Sequence, residues 1–175
     1  MNKIYIMISC LLLISLLSFR LELVKQNDRE LSYVTIPDSI KQELIINTKS
    51  LDEVDIINYC VDKTTDLLEY SFKEDVLFKN TTSKAHCVTY AKVCASLCNE
   101  AFKANNINSK AKCVVGYVKG YGINLCNLGS KLFKKHSNYF INHDFVEIKG
   151  SNYIMYVDPC LKDLIKSDLK YIKYL

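Results

Sequence analysis

A hairpin pattern near the C-terminus constrains the fold of this chain more than any other feature. The segments His143 to Ile148 and Asn152 to Asp158 alternate in polarity and flank the turn Lys149-Gly150-Ser151. Alternation with a period of two is typical of strands that bury one face, and a Gly-bearing turn of this length joins antiparallel partners. Pro159 ends the second strand because it cannot donate a ladder hydrogen bond. The sequence therefore predicts an antiparallel sheet.

Helical patterns precede this hairpin. A short helix is predicted from Pro37-Asp38-Ser39 to about Thr48, and an amphipathic helix over about 51–72. The second helix begins at Ser50-Leu51-Asp52-Glu53, which has the spacing of a capping box. Helices first and an antiparallel sheet afterwards predict an α+β fold.

A third helix is predicted over 85–103. Small and apolar residues recur there at helical spacing, which indicates a mostly buried helix: Cys87, Tyr90, Ala91, Cys94, Leu97, Cys98 and Ala101. Asn105-Asn106 ends it, and a strand follows over 111–118.

The remaining segments carry weaker patterns. Residues 20–36 are typical of a connector, and 79–84 of a polar loop. Residues 119–142 form a long polar stretch without a clear period, and loops of that length are usually functional or poorly ordered. Residues 161–175 suit either a closing helix or a strand.

Composition limits the class of protein. A chain of 175 residues has room for one domain. With 49% hydrophobic residues and only 5 Gly and 2 Pro, disordered and collagen-like structure are excluded. The net charge is +4 without a block of Lys or Arg, so we expect no nucleic-acid partner.

The N-terminus carries an export signal. Sixteen uncharged residues, Ile4 to Phe19, lie between Lys3 and Arg20. A poor cleavage site at Leu16-Leu17-Ser18 leaves two alternatives open for 1–19, a signal peptide or a signal anchor. Either one predicts an extracytoplasmic domain, secreted or attached to the membrane by this segment alone.

Eight cysteines are the unusual count in the composition. Cys10 belongs to the export segment, and an oxidising compartment permits disulfides among the rest. Only Cys94-x₃-Cys98 approaches the spacing of a zinc knuckle, so we expect no metal and no cofactor. Apart from Cys87, six cysteines could pair or stay buried: Cys60, Cys94, Cys98, Cys113, Cys126 and Cys160.

One constellation is typical of nucleophilic catalysis. Cys87 opens the buried helix, where the helix N-terminus favours a thiolate. His143 opens the first hairpin strand and Asp158 closes the second, and antiparallel pairing brings those two ends together. A carboxylate on one imidazole nitrogen fixes the tautomer that the nucleophile needs. Cys87, His143 and Asp158 are therefore the candidate catalytic residues.

Four local patterns resemble the transglutaminase-like branch of the papain-like fold, including small exported bacterial-type members. They occur in the family's order and cover about 80–160. The matching residues are Cys87-Val88-Thr89-Tyr90-Ala91 with Leu97 and Asn106-Ile107, then Val114-Val115-Gly116-Tyr117, His143-Asp144-Phe145-Val146-Glu147-Ile148 and Tyr156-Val157-Asp158-Pro159.

The resemblance implies a domain over 50–175, after a connector and short helix over 20–49. It also implies a triad acting on amide or peptide carbonyls of a protein or peptide substrate through a thioester. The enzyme would be a transglutaminase, a peptidase or an amidase. The oxyanion hole would combine the Cys87 N–H with Asn80 or Thr82. Ala85 stands where the family often has Gly, and Phe145 or Tyr153 where it often has Trp.

Each residue also has a simpler interpretation when taken alone. An isolated Cys87 is most often a buried small hydrophobe, His143 a structural histidine and Asp158 a turn residue. Their joint occurrence favours the triad, and the alternative is a catalytically inactive binding or scaffold domain. We expect His86 to point elsewhere around the helix, His136 to be solvated, and Glu147 to face solvent or a salt bridge.

Overall fold

The structure is a computed structural model that describes residues 21–29, 32–73, 75–79, 82–120, 123–125, 142–165 and 170–174. The predicted export segment, Asn80, Cys126 and His136 lie outside these ranges. No helix within them is long and apolar enough to cross a membrane. The strands are Leu21–Asp28 (β1), Leu68–Tyr70 (β2), Ser83–Ala85 (β3), Lys110–Gly120 (β4), Ile123–Asn124 (β5), His143–Lys149 (β6), Tyr153–Val157 (β7) and Lys170–Tyr174 (β8). The helices are Asp38–Thr48 (α1), Glu53–Leu67 (α2), Cys87–Ala104 (α3) and Pro159–Ile165 (α4).

The main sheet is antiparallel and runs in the order β1-β4-β6-β7-β8, with β5 paired to β4. The predicted hairpin is confirmed as β6 and β7, in which Val146 pairs with Val157. Mixed helices and antiparallel strands confirm the α+β class. The sheet centres on β6, the strand that begins with His143.

Helix α3 lies at the centre of the molecule, packed against β4, β6 and the other three helices. From Tyr90 to Cys98 only Lys92 is not buried, because the helix is covered by the sheet and by its neighbouring helices. The prediction of a mostly buried helix is confirmed. Asn105 ends it, with a positive φ of 55° at Asn106, a conformation that Asn tolerates better than most residues.

The second predicted helix forms, but its ends differ from the sequence pattern. Asp52, and not Ser50, caps α2, because the Asp52 Oδ1 accepts a hydrogen bond of 2.8 Å from the Asp55 N–H. The helix stops at Leu67 and the chain continues as β2, where the buried Leu68 joins the core. The sequence pattern extends the helix to residue 72, but the helix ends earlier because Leu68 is buried in the core as part of β2.

Two segments that the sequence predicts to be irregular contain strands. Residues 20–36 are predicted as a connector, but Leu21–Asp28 pair with β4 along the edge of the main sheet. Ser83 and Lys84 of the predicted polar loop, with Ala85 from the start of the predicted third helix, pair in parallel with β2, which directs the chain into α3. Strand β1 has only one fully buried side chain, Leu23, so its alternation is weak in the sequence.

The described cysteines are free thiols. Five are buried, and Cys60, Cys94 and Cys98 lie together where α2 meets α3, in contact through their sulfur atoms. Cys113 lies on β4 and Cys160 on α4. Of the two alternatives for these cysteines, the structure has burial and no disulfide among the described residues. Cys87 is the exception, because it is only half-buried.

Candidate active site

Cys87 is the first residue of α3, and its position follows from the local chain geometry. Strand β3 enters the helix through His86, which has an extended backbone with φ −113°. The His86 Nδ1 accepts a hydrogen bond of 3.3 Å from the Val88 N–H and so acts as the N-cap. The Cys87 sulfur therefore lies at the positive end of the helix dipole.

His143 and Asp158 meet at one end of the hairpin, as antiparallel pairing requires. The Asp158 Oδ2 accepts a hydrogen bond from the His143 Nε2, while the Asp158 Oδ1 accepts one of 2.9 Å from the Leu161 N–H of α4. The Asp158 side chain is fully buried and that of His143 is 13% exposed. Both carboxylate oxygens are thus held, which fixes the imidazole ring.

The structure brings the three candidate catalytic residues together, because the Cys87 thiol contacts the His143 ring. Since Nε2 is engaged by Asp158, the ring nitrogen left for the thiol is Nδ1. This order of atoms, sulfur to imidazole to carboxylate, is the order that thiol activation needs.

Electrostatics at the site favour the charged thiol. Burial alone would raise the pKa of Cys87, but hydrogen bonds from His143 and His86 and the charge of His143 lower this pKa to about 7. For His143, burial lowers the pKa, while the charge and hydrogen bond of Asp158 outweigh burial and raise the pKa well above its ordinary value. A thiolate and an imidazolium can therefore coexist near neutral pH.

A second buried carboxylate lies beside the sulfur. The Asp144 Oδ2 is 4.0 Å from the Cys87 Sγ, and the Asp144 side chain is 1% exposed. Arg29, just after β1, donates from Nη1 to both carboxylate oxygens at 2.6 and 2.7 Å. Burial raises the pKa of Asp144, whereas the Arg29 charge opposes that rise.

The sequence patterns miss three residues of this site: His86, Asp144 and Arg29. His86 is expected to point away, but its ring hydrogen-bonds to the Cys87 thiol, so that expectation is wrong. A signal for Asp144 exists, because alternation along the strand points its side chain to the same face as Val146 and Ile148, which are core residues. A charged residue at an inward-facing position needs a partner. No local pattern points to Arg29.

Of the two oxyanion candidates, the structure describes Thr82. Thr82 is exposed and is separated from Cys87 by the whole of β3 and by His86. Among the contacts of the described residues, none joins Thr82 to Cys87. Asn80 lies outside the described ranges. The side-chain half of the oxyanion hole stays a prediction.

Searches of protein-family models, curated proteins and solved structures found no match to this chain. The functional argument therefore depends on the geometry of Cys87, His143 and Asp158. Among the described residues there is no group of three or more His, Cys, Asp or Glu that could hold a metal ion.

Proposed function

We propose that this chain is an exported cysteine enzyme of the transglutaminase-like kind that acts on amide or peptide carbonyls through a thioester. One observation carries the proposal. A half-buried thiol at a helix N-terminus contacts a histidine whose Nε2 is held by a buried aspartate. The pKa of the Cys87 thiol is lowered to about 7, whereas burial raises the pKa of Cys113 to about 12.

In the acylation step, the Cys87 thiolate attacks the carbonyl carbon of the substrate. The C–N bond of the tetrahedral intermediate breaks as the His143 imidazolium gives its proton to the leaving nitrogen. The products are an amine, or ammonia from a carboxamide, and a Cys87 thioester. His143 then takes a proton from an incoming amine or water, which attacks the thioester and regenerates the thiol.

Asp158 orients the imidazole and stabilises the imidazolium. Its buried carboxylate accepts from Nε2, so that Nδ1 faces the sulfur and exchanges the proton with substrate. The developing oxyanion would meet the Cys87 N–H, one of the helix N–H groups that have no partner within a helix. In relatives of this kind one further donor completes the hole, and Asn80 and Thr82 are its candidates.

The fold of the site supports the same class. In the papain-like arrangement the nucleophile begins a buried helix that packs on an antiparallel sheet carrying the histidine. Here α3 begins with Cys87 and packs on β6, which begins with His143. Protein or peptide is the substrate class that we propose. The export signal that we infer at residues 1–19 would bring the domain to such substrates outside the cytoplasm.

The proposal is tested by trapping the acyl-enzyme. The full-length protein is mixed with p-nitrophenyl acetate at pH 7.5, p-nitrophenolate release is followed, and acetylated peptides are identified by mass spectrometry. We expect a burst of one equivalent with the acetyl group on Cys87. If the enzyme is a transferase, added glycine methyl ester should remove the acetyl group from Cys87 faster than water does. If it is a hydrolase, glycine methyl ester should remove the group no faster than water.

Variants separate catalysis from chance thiol reactivity. C87S should lose the burst, and H143Q should slow acetylation of Cys87 by about 10²–10⁴-fold, the usual contribution of general acid–base catalysis. C113S removes a buried thiol of β4 and should leave the burst unchanged. If wild-type Cys87 takes up no acetyl group, the domain is a binding or scaffold domain and not an enzyme.

A further inference from the structure

The Arg29–Asp144 pair has no role in the mechanism above, yet its carboxylate contacts the nucleophile. The Asp144 carboxylate is buried 4.0 Å from the Cys87 Sγ, close enough for the neutral thiol to donate a weak hydrogen bond to it. Arg29 closes over this carboxylate with two contacts of 2.6 and 2.7 Å, and its own side chain is 39% exposed. The pair thus joins the N-terminal edge strand to the reacting sulfur.

An ionised Asp144 without a partner would oppose the triad. A carboxylate at this distance repels a thiolate and stabilises the protonated thiol, which shifts ionisation away from the form that attacks. The Asp144 Oδ2 lies 4.0 Å from the Cys87 Sγ, so an ionised Asp144 alone works against thiolate formation. Because Arg29 binds both oxygens, it cancels most of that charge.

We propose, resting on the function above, that Arg29 is a positioning residue that neutralises Asp144 and so lets the Cys87 thiol ionise beside His143. Arg29 acts through Asp144 and does not touch the reacting atoms. Removal of Asp144 should therefore make Arg29 dispensable for thiol ionisation. A pair that only tied β1 to the sheet would change stability and leave the thiol unaffected.

Other groups around the sulfur set the background for this effect. His86 faces the thiol from the N-cap of α3 and His143 faces it from β6. Cys160 of α4 interacts with the Cys87 charge, and Asp158, just after β7, faces His143. Asp144 itself faces Arg29, His143 and His86. None of the variants below alters these surrounding side chains, so differences in the thiol pKa report on the Arg29–Asp144 pair.

The test is the pH dependence of iodoacetamide alkylation at Cys87, read by peptide mass spectrometry on the folded full-length protein. In R29Q the thiol pKa should rise by about one unit, the lower end of the usual effect of a nearby charge. In D144N it should fall below the wild-type value. In R29Q/D144N it should return to the wild-type value or lower.

Lys25→Gln is the matched control. Lys25 lies on β1, the strand that Arg29 follows, and pairs at 2.8 Å with Glu147, a buried carboxylate of β6 whose side chain points to the opposite face from Asp144. K25Q should leave the Cys87 pKa unchanged. R29K, which keeps the positive charge, should retain most of the wild-type behaviour, and D144N alone still tests the proposal if R29Q does not fold.

The outcomes distinguish this inference from the proposed function. A wild-type Cys87 with a thiol pKa of about 8.5, the ordinary value, overturns both. A lowered wild-type pKa that does not fall in D144N overturns the inference alone. So does a rise in R29Q that persists in the double variant, because Arg29 would then act by a route other than Asp144.

Discussion

Burial and charge separate Cys87 from the other thiols at the scale of single residues. The five remaining described cysteines are buried, and burial raises the pKa of a thiol because the charged form loses solvation. Cys87 is half-buried, and burial also raises the pKa of its thiol, but hydrogen bonds from His143 and His86, the charge of His143 and the Asp144 N–H outweigh that effect. A single reactive cysteine among several inert ones is the expected result.

Asp158→Asn tests how the carboxylate supports His143. Asn keeps the shape but removes the charge that raises the His143 pKa, so the imidazolium should lose its proton at lower pH. In the pH profile of Cys87 acetylation, the acid limb near pH 7 reports thiolate formation and the alkaline limb reports loss of the imidazolium. D158N should move the alkaline limb to lower pH and reduce the maximum rate by about 10²–10⁴-fold.

A purely structural Asp158 would behave differently in that experiment. Its replacement by Asn would lower the unfolding midpoint and leave the alkaline limb in place. Measuring both quantities on the same preparation, by urea unfolding and by the acetylation profile, distinguishes the two roles.

The residues of the triad could be predicted because each one marks the end of a regular element. Cys87 begins a helix with a clear apolar stripe, and the hairpin turn at Gly150 fixes which strand ends meet. Asp144 and Arg29 could not be paired in this way. Their contact joins residues 115 positions apart and depends on where β1 docks.

At the scale of elements, long periodic segments were the predictable ones. Helices α2 and α3 and the β6–β7 hairpin form within the segments that their patterns predict, because each buries a continuous apolar face. Strand β1 has polar or charged residues at five of its eight positions and gains order from backbone pairing with β4. Edge strands of this kind carry little local signal.

Gly116→Ala tests the docking of β1. A Cβ at Gly116 would lie 2.0 Å from the Val24 carbonyl oxygen, and a backbone atom cannot move aside without breaking the strand pairing. We expect a loss of about 1–3 kcal/mol in the free energy of unfolding, as for other overpacked sites. Hydrogen exchange should be faster for the β1 amides that bond to β4.

Gly120→Ala is the control for this prediction, because it lies on the same strand. A Cβ there would meet only flexible side-chain atoms, of Leu21 at 3.2 Å and of Leu125 at 3.3 Å. G120A should therefore change the unfolding free energy by less than about 1 kcal/mol. Equal stability of G116A and G120A would show that β1 does not pack as described.

At the scale of the whole molecule, the sheet order places the candidate site at the centre of the fold. Strand β1 lies at one edge and β8 at the other, while β6, with His143 and Asp144, lies in the middle. The most buried helix, α3, covers that strand and begins at Cys87. The first described strand nevertheless reaches the site, because Arg29 extends from its end to Asp144.

The described cysteines also divide into the half-buried Cys87 and five buried thiols. The expected export places the domain where disulfides are permitted, yet the described cysteines are free thiols, and all of them except Cys87 are buried. Sequence counts alone left pairing and burial open, since connectivity depends on distances that only the fold supplies. The packed helices α2 and α3 protect three of these thiols by excluding solvent.

The central claim is that Cys87 is a nucleophile activated by His143. Its most direct test is the alkylation rate of every cysteine in the folded full-length protein as a function of pH, for wild type and H143Q. In wild type, Cys87 should react with an apparent pKa of about 7, and Cys60, Cys94, Cys98, Cys113 and Cys160 should be slow. In H143Q the Cys87 pKa should rise above about 8.5, because burial remains while the hydrogen bond and charge are lost. A wild-type Cys87 that reacts no faster than the buried thiols, or whose pKa is the same in H143Q, would contradict the claim.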